Sequence, residues 1–261
     1  MDLELGGRRA VVTGGSQGIG LAAAKALAAE GADVALVARG ADALAAAVES
    51  VTAHARPGRT VVGLRADTGD DASVASLAEE AVRALGGVDI LVNSAATPNP
   101  GSFPEEALEA EFNVKVRGYL RTARAFAPAM AERGWGRIIN VSGLAARQTG
   151  SVVGSVRNVA VAALSKNLAD ELGPQGVNVV VVHPGLTRTE KTPQTLAAMA
   201  AHRGVSVEEV ERAAAAGVSI GRIVTAEEVA DVIAFLASPR SVALNGDPVL
   251  AGGGVPGPIF Y

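Results

Sequence analysis

The chain has 261 residues, 49% of them hydrophobic, with a formal net charge of −4 and no cysteine. Interspersed charges without a basic surplus argue against a nucleic-acid partner, and the missing cysteines exclude disulfides and thiolate metal sites. Three scattered histidines, His54, His183 and His202, give no reason to expect a metal, so none is assigned. Asp2 and Glu4 stand where a signal peptide needs cations, and no apolar run reaches the length of a membrane span. The expectation is a soluble cytoplasmic protein without membrane attachment, folded as one large α/β domain over residues 1–261.

Arg9-Ala10-Val11-Val12 reads as a short buried strand, and Ile19, Leu21, Ala22, Ala26 and Leu27 recur at helical spacing after it. Between them lies Thr13-Gly14-Gly15-Ser16-Gln17-Gly18-Ile19-Gly20. A glycine-rich strand-to-helix turn lets backbone approach a pyrophosphate, and the first N–H groups and dipole of the helix favour that anion. Gly14, Ser16, Gln17, Gly18, Ile19 and Gly20 are therefore candidate dinucleotide contacts; a merely tight turn is the alternative. Further along, Val/Leu/Ile runs alternate with Ala-rich helical segments, the pattern of a parallel sheet with crossover helices. Strands are expected near 9–13, 33–38, 60–65, 88–92, 136–141, 177–183 and 248–251. Helices are expected near 18–30, 41–54, 71–85, 104–115, 117–133, 153–172 and 226–237. The stretch 187–218 is the longest excursion from this alternation, and one or two extra helices there would form a substrate lid over the strand ends.

Several motifs accompany the glycine turn: Asp67-Thr68, then Asp89-Ile90-Leu91-Val92-Asn93-Ser94-Ala95-Ala96, Asn113, Gly136-Arg137-Ile138-Ile139-Asn140-Val141-Ser142, and His183-Pro184-Gly185-Leu186-Thr187-Arg188-Thr189. Together they resemble a single-domain short-chain dehydrogenase/reductase, from Gly6 to about Gly254. The resemblance implies a Rossmann-like, doubly wound parallel sheet of about seven strands with helices on both faces. It also implies that Asp67, beside Thr68, takes the adenine amino group, although a helix N-cap is the alternative for that aspartate. By the same resemblance, Asn93 ties the sheet together and borders the cofactor with Ala95. Pro184, Gly185, Leu186, Thr187 and Thr189 would hold the nicotinamide carboxamide and the phosphates. At the end of the second strand Arg39 stands without an acidic residue in the strand end, which favours the 2′-phosphate of NADP(H) over the ribose of NAD(H), with a surface arginine as the alternative.

The catalytic pair implied by the resemblance is missing. In this family a Tyr and a Lys four residues later share one helix face, and the ammonium lowers the phenol's pKa for proton transfer. Anchoring on Leu164-Ser165-Lys166-Asn167-Leu168 puts Gly154 and Asn158 at those positions, and neither can transfer a proton at neutral pH. Tyr119 is followed four residues later by Ala123, and Tyr261 ends the chain, so no Tyr-x-x-x-Lys occurs. Counting from Arg137 puts the family's serine at Gly143, with Ser142 one place earlier, and Ala96 replaces a family glycine. Asn113 and Ser142 remain as candidate catalytic residues.

Substitutes for the pair are His183, Arg147, Arg157 and, across a subunit contact, Tyr261; Lys166 reads as a helix-surface charge. The expected activity is an NADP(H)-dependent oxidoreductase acting on a small or medium carbonyl or alcohol with an atypical proton donor. A non-redox lyase, isomerase or cyclase on the same scaffold, and a catalytically silent nucleotide-binding paralogue, stay open. The family's habit implies a homodimer or homotetramer through the helices at 117–133 and 153–172. The second of these carries Val153, Val156, Ala160, Ala163, Leu164, Leu168 and Leu172 at helical spacing, although one stripe is needed to cover the sheet.

Overall fold

The computed structural model describes residues 1–96 and 105–257. In chain order, β1 (Arg9–Thr13), α1 (Gly18–Ala29), β2 (Asp33–Ala38), α2 (Ala41–Thr52), β3 (Val61–Arg65), α3 (Asp71–Leu85) and β4 (Ile90–Asn93) alternate strictly. Next come α4 (Glu105–Glu111), a π-helical turn (Phe112–Arg117), α5 (Gly118–Glu132), β5 (Gly136–Val141), α6 (Val152–Leu172) and β6 (Val177–Pro184). The chain closes with β7 (Thr187–Arg188), α7 (Thr192–Arg203), α8 (Val207–Ala216), β8 (Val224–Thr225), α9 (Ala226–Ala237) and β9 (Pro248–Ala251). Seven strands form one sheet in the order β3-β2-β1-β4-β5-β6-β9, every pair parallel, while β7 and β8 make a separate two-stranded pair. The doubly wound sheet read from the sequence is thus present, with the fourth strand starting at Ile90 rather than at residue 88.

Strand residues alternate between two cores. Ala10, Val12, Val34 and Leu36 face Leu27 of α1, Leu44 of α2 and Ile233 of α9, while Val11, Ala35 and Val37 face Leu77 of α3, Phe126 of α5 and Leu172 of α6. Burial on both faces explains why the central strands read as continuous apolar runs rather than alternating ones. With few aromatics, the core is filled by closely packed small side chains: Ala22, Ala23 and Ala24 of α1 are all buried. Helix starts are fixed locally. Asp70 accepts from the Ser73 N–H at the head of α3, and reciprocal capping boxes, Ser206 with Glu209 and Thr225 with Glu228, open α8 and α9.

One expectation needs correction. The separate helices expected near 104–115 and 117–133 are one helical stretch from Glu105, interrupted by the π-helical turn instead of a break. On α6 the buried residues are Gly154, Asn158, Val161, Ser165, Ala169 and Leu172, whereas Val156 is exposed. Polar residues occupy the inner face because the interior satisfies them: Asn140 Nδ2 donates to Ser165 Oγ at 2.9 Å, and Arg157 Nε donates to Asn158 Oδ1 at 3.4 Å. The excursion 187–218 carries α7 and α8. Among the described residues no helix is long and apolar enough to cross a membrane.

Leu27 is fully buried in the core between the sheet and α1. Leu27→Ala is expected to lower the unfolding free energy by about 2–5 kcal/mol through lost burial and the cavity left behind; a denaturant midpoint and slope unchanged from the parent would contradict this packing.

Candidate active site

The order of the sheet reverses between β1 and β4, and both lead at their C-terminal ends into the glycine turn and the Ser94–Ala95 segment. Such a reversal opens a crevice where ligands of parallel sheets bind. Gly14 has φ +67°, and a Cβ on it would lie 2.8 Å from the Ser94 and Ala95 backbone; a Cβ on Gly20 would lie 2.2 Å from the Gly14 carbonyl oxygen. The glycines are there so that backbone meets backbone. The N-terminus of α1 already engages an anion: Gly18 N–H faces the Glu190 carboxylate, at 3.0 and 3.2 Å from its two oxygens. The carboxylate takes up exposed donors at the end where the helix dipole favours an anion.

A hollow of about 290 Å³ continues from this turn, with Ser16, Gln17, Arg39, Asp67, Thr68 and Ala95 in its wall. Arg39 lies 3.9 Å from the Asp67 carboxylate, and both side chains are about half exposed. Asp67 accepts from the Gly69 N–H at 2.8 Å, while Asp70 caps α3, so Asp67 is not tied up as the helix cap. Deeper in, Asn93 Nδ2 donates to Asn140 Oδ1 at 3.0 Å, and its Oδ1 accepts from Thr122 Oγ1 at 2.9 Å and from Thr13 Oγ1 at 3.3 Å. This buried network joins β1, β4, β5 and α5 beneath the crevice.

On the other side of the glycine turn opens a pocket of about 890 Å³. Gly18 and Ile19 form one wall, Pro184, Gly185, Leu186, Thr187 and Thr189 a second, and Met199 of α7 and Ala214 of α8 reach it from the excursion. The segment after β6 is folded on itself: Thr187 Oγ1 donates to the Gly185 carbonyl at 3.0 Å, and the Thr189 N–H donates to Thr192 Oγ1 at 2.7 Å. Ser142 and Asn158 also border this pocket. Gly154 is buried on the first turn of α6, and its N–H donates to Ser151 Oγ at 3.0 Å. A Cβ at Gly154 would lie 2.9 Å from that same oxygen, and one at Gly143 would lie 2.9 Å from Asn158 Nδ2.

Asn113 does not join Ser142 and Asn158. Its Nδ2 donates to the Gly69 carbonyl at 3.0 Å, and its Oδ1 accepts from Arg121 at 3.0 Å, on the side of the helix that packs on the loop before α3. The residue that the π-helical turn directs into the pocket is Lys115, whose Nζ donates to the Ser142 carbonyl at 2.8 Å. A π turn carries extra residues and so rotates the helix beyond it. Desolvation first, and repulsion by Arg157 second, lower the Lys115 ammonium to a pKa of about 7, against the opposing pull of Glu111. The sequence signal was a lone lysine between Val114 and Val116 in a chain with three others, Lys25, Lys166 and Lys191.

The other substitutes fare differently. His183 is buried with Nδ1 accepting from the Gly143 N–H at 3.3 Å, and burial drives its pKa down to about 4, so the ring is neutral at pH 7 and holds a loop. Tyr119 is fully buried with its hydroxyl donating to the Val141 carbonyl at 2.9 Å, and burial raises its pKa. Arg157 forms an ion pair with the buried Glu111 at the pocket edge. Arg147 is exposed beyond the turn at Leu144–Ala146, and Lys166 pairs with Asp170 on the outer face of α6. Tyr261 lies outside the described residues.

A sequence profile of short chain dehydrogenases matches residues 8–200. The short-chain reductase protein NovJ of Streptomyces niveus is 34% identical over 254 residues, covering 95% of this chain and 93% of its own. L-sorbose reductase of Gluconobacter frateurii, solved with NADPH and L-sorbose, superposes with a TM-score of 0.92 at 30% identity over 99% of this chain and all of the other. A point variant of the actinorhodin polyketide ketoreductase, solved with NADPH, gives a TM-score of 0.88 at 30% identity, covering 94% and 96% of the two chains. With a matched profile over most of the chain, a relative similar end to end and the same sheet order around a glycine-lined crevice, this protein belongs to the short-chain dehydrogenase family of oxidoreductases.

Proposed function

We propose that the protein is an NADP(H)-dependent oxidoreductase of small or medium carbonyls and alcohols, with a proton donor other than a tyrosine–lysine pair. The observation that carries the cofactor choice is Arg39, half exposed at the end of β2 beside the glycine turn, with no acidic residue in the strand end. The fit of the remaining residues supports it. Backbone of the turn from Gly14 to Gly20 would hold the pyrophosphate, Arg39 and Ser16 the 2′-phosphate, and Asp67 with Thr68 the adenine end. Asn93, Ala95, Thr187 and Thr189 would border the nicotinamide. When bound, the dinucleotide supplies or accepts the hydride. NADPH in the solved sorbose reductase and actinorhodin ketoreductase is consistent with this choice.

The protein's own residues do the rest. The excursion 187–218 acts as the lid: Met199 and Ala214 turn apolar or small side chains toward the pocket, narrowing the access of water to the reacting carbonyl. Ser142, one place before the position at which the family's serine falls, has its hydroxyl committed to the Asn158 carbonyl, so its part is to fix α6 against the end of β5. Glu190 must leave the Gly18 N–H for a pyrophosphate to take it. We further propose a cytoplasmic homodimer or homotetramer; Val152, Val156 and Val159 form an exposed apolar stripe on α6, which water does not favour.

Fluorescence titration with NADPH and NADH tests the cofactor reading. Arg39→Ala is expected to weaken NADPH binding by about tenfold to a hundredfold, the worth of a charge-assisted hydrogen bond, and to leave NADH unchanged. Glu190→Gln is expected to tighten NADPH about two- to fivefold by removing a competing negative charge at the helix N-terminus. Equal losses for both nucleotides in Arg39→Ala would contradict the assignment. Oxidation of NADPH by at least one member of a carbonyl panel is the expected activity; binding without oxidation would indicate a silent paralogue, and substrate conversion without nucleotide oxidation a lyase or isomerase. Light scattering is expected to give a mass that is a multiple of 26.1 kDa. Val156→Glu with Val159→Glu should move it toward the single-chain value, and a monomeric parent would refute the assembly.

A further inference from the structure

Gly154 and Asn158 bring no titratable group to the pocket, His183 is neutral and bound to the Gly143 backbone, and the Tyr119 hydroxyl is spent on the Val141 carbonyl. Two lysines line the pocket, the exposed Lys191 at the foot of α7 and the buried Lys115. Lys115 is 5% exposed, lies on the π-helical turn, and directs Nζ to the end of β5, where the Ser142 carbonyl accepts one of its three protons. A lysine buried this far is costly unless it is paired or can shed its charge. Among the described residues its hydrogen bond is to that neutral carbonyl, and the ion pair of Glu111 is with Arg157.

We propose that Lys115 is the catalytic residue that exchanges the proton with the substrate oxygen. This inference rests on the oxidoreductase reading above. In the reducing direction the carbonyl carbon accepts a hydride from a reduced pyridine nucleotide as the oxygen takes a proton from the Lys115 ammonium. The C=O π bond breaks, one C–H and one O–H bond form, the nucleotide leaves oxidised, and the neutral amine recovers its proton from solvent. The reverse reaction runs through the neutral amine as base.

The groups facing Nζ set this proton's affinity. Arg157 on α6 repels the ammonium, Glu111 at the end of α4 partly offsets that repulsion, and His183 on β6 is uncharged at neutral pH. Burial adds the larger push, and the amine is left with a pKa of about 7. A group near the working pH is both a competent acid and a competent base. The sign of the pH dependence is then fixed: reduction is lost as pH rises through about 7 because the ammonium disappears, and alcohol oxidation is gained over the same interval.

The test has two arms on the full-length protein. With 13C-labelled lysine, the chain's four lysine Cε signals are followed by NMR against pH, without and with NADPH; the signal that disappears in Lys115→Met is expected to titrate near pH 7. In parallel, kcat is measured with a carbonyl substrate found in the panel. Lys115→Met is expected to lose about 10²–10⁴-fold with NADPH affinity retained. Lys115→Arg, which can keep the bond to the Ser142 carbonyl but holds its proton, is expected to lose as much; a merely structural lysine would be rescued by it. A Lys115 signal titrating near about 10, the ordinary lysine value, or a Lys115→Arg variant with parental kcat and pH profile, overturns the proposal. A borohydride-stable substrate adduct on Lys115 would also overturn it, by marking an imine instead. A parent that binds NADPH yet reduces no carbonyl refutes the oxidoreductase reading itself, and with it this role for Lys115.

Discussion

The N-terminus of α1, laid open by glycines at the point where the sheet reverses its strand order, is the constraint on which the site depends. Helical N–H groups begin there without partners in their own helix, and an anion is the natural occupant. In the present arrangement Glu190 reaches across from the segment after β6 to the Gly18 N–H. Two halves of the crevice are thereby held together by one exposed carboxylate. The same contact links cofactor entry to the position of the 187–218 excursion, because the residue that would yield to a pyrophosphate sits at the foot of α7.

Below that crevice the polar interior is arranged to be satisfied without charge. Thr13, Asn93, Thr122, Asn140 and Ser165 bond to one another across three strands and two helices, and none of these side-chain oxygens or nitrogens titrates at ordinary pH. Lys115 breaks this pattern. A cation desolvated beside Arg157 is held less firmly than in water, and its release of a proton is favoured by the same burial that shapes the pocket. In the proposed role for Lys115, the absence of a tyrosine at Gly154 and the presence of an amine on the facing helix would be two sides of one arrangement. The tight spaces around Gly143 and Gly154, where a Cβ would meet Asn158 and Ser151, show that neither position has room for a larger residue without local change.

Much of the fold was legible because its determinants are local. Val/Ile runs such as Val179–Val182 announce strands buried on both faces, and Thr225 with Glu228 announces the start of α9. The glycine turn was equally legible, since glycines specify backbone approach directly. Lys115 was not, because a regular helical count carried on from Asn113 cannot foresee a π turn, and Asn113 itself turned out to serve the loop at Gly69. The inner face of α6 was not legible either, because periodicity ranks residues by apolarity, whereas Asn158 and Ser165 are inside with side-chain partners in Arg157 and Asn140, and Val156 is outside.

The most direct measurement is a crystal structure of the protein with oxidised NADP and a substrate alcohol. It is expected to place the pyrophosphate on the Gly18 N–H with Glu190 displaced, the 2′-phosphate on Arg39, and the alcohol oxygen within hydrogen-bonding distance of Lys115 Nζ. A dinucleotide bound away from the glycine turn, or an alcohol oxygen contacting only water beside Gly154 with Lys115 out of reach, would contradict the account.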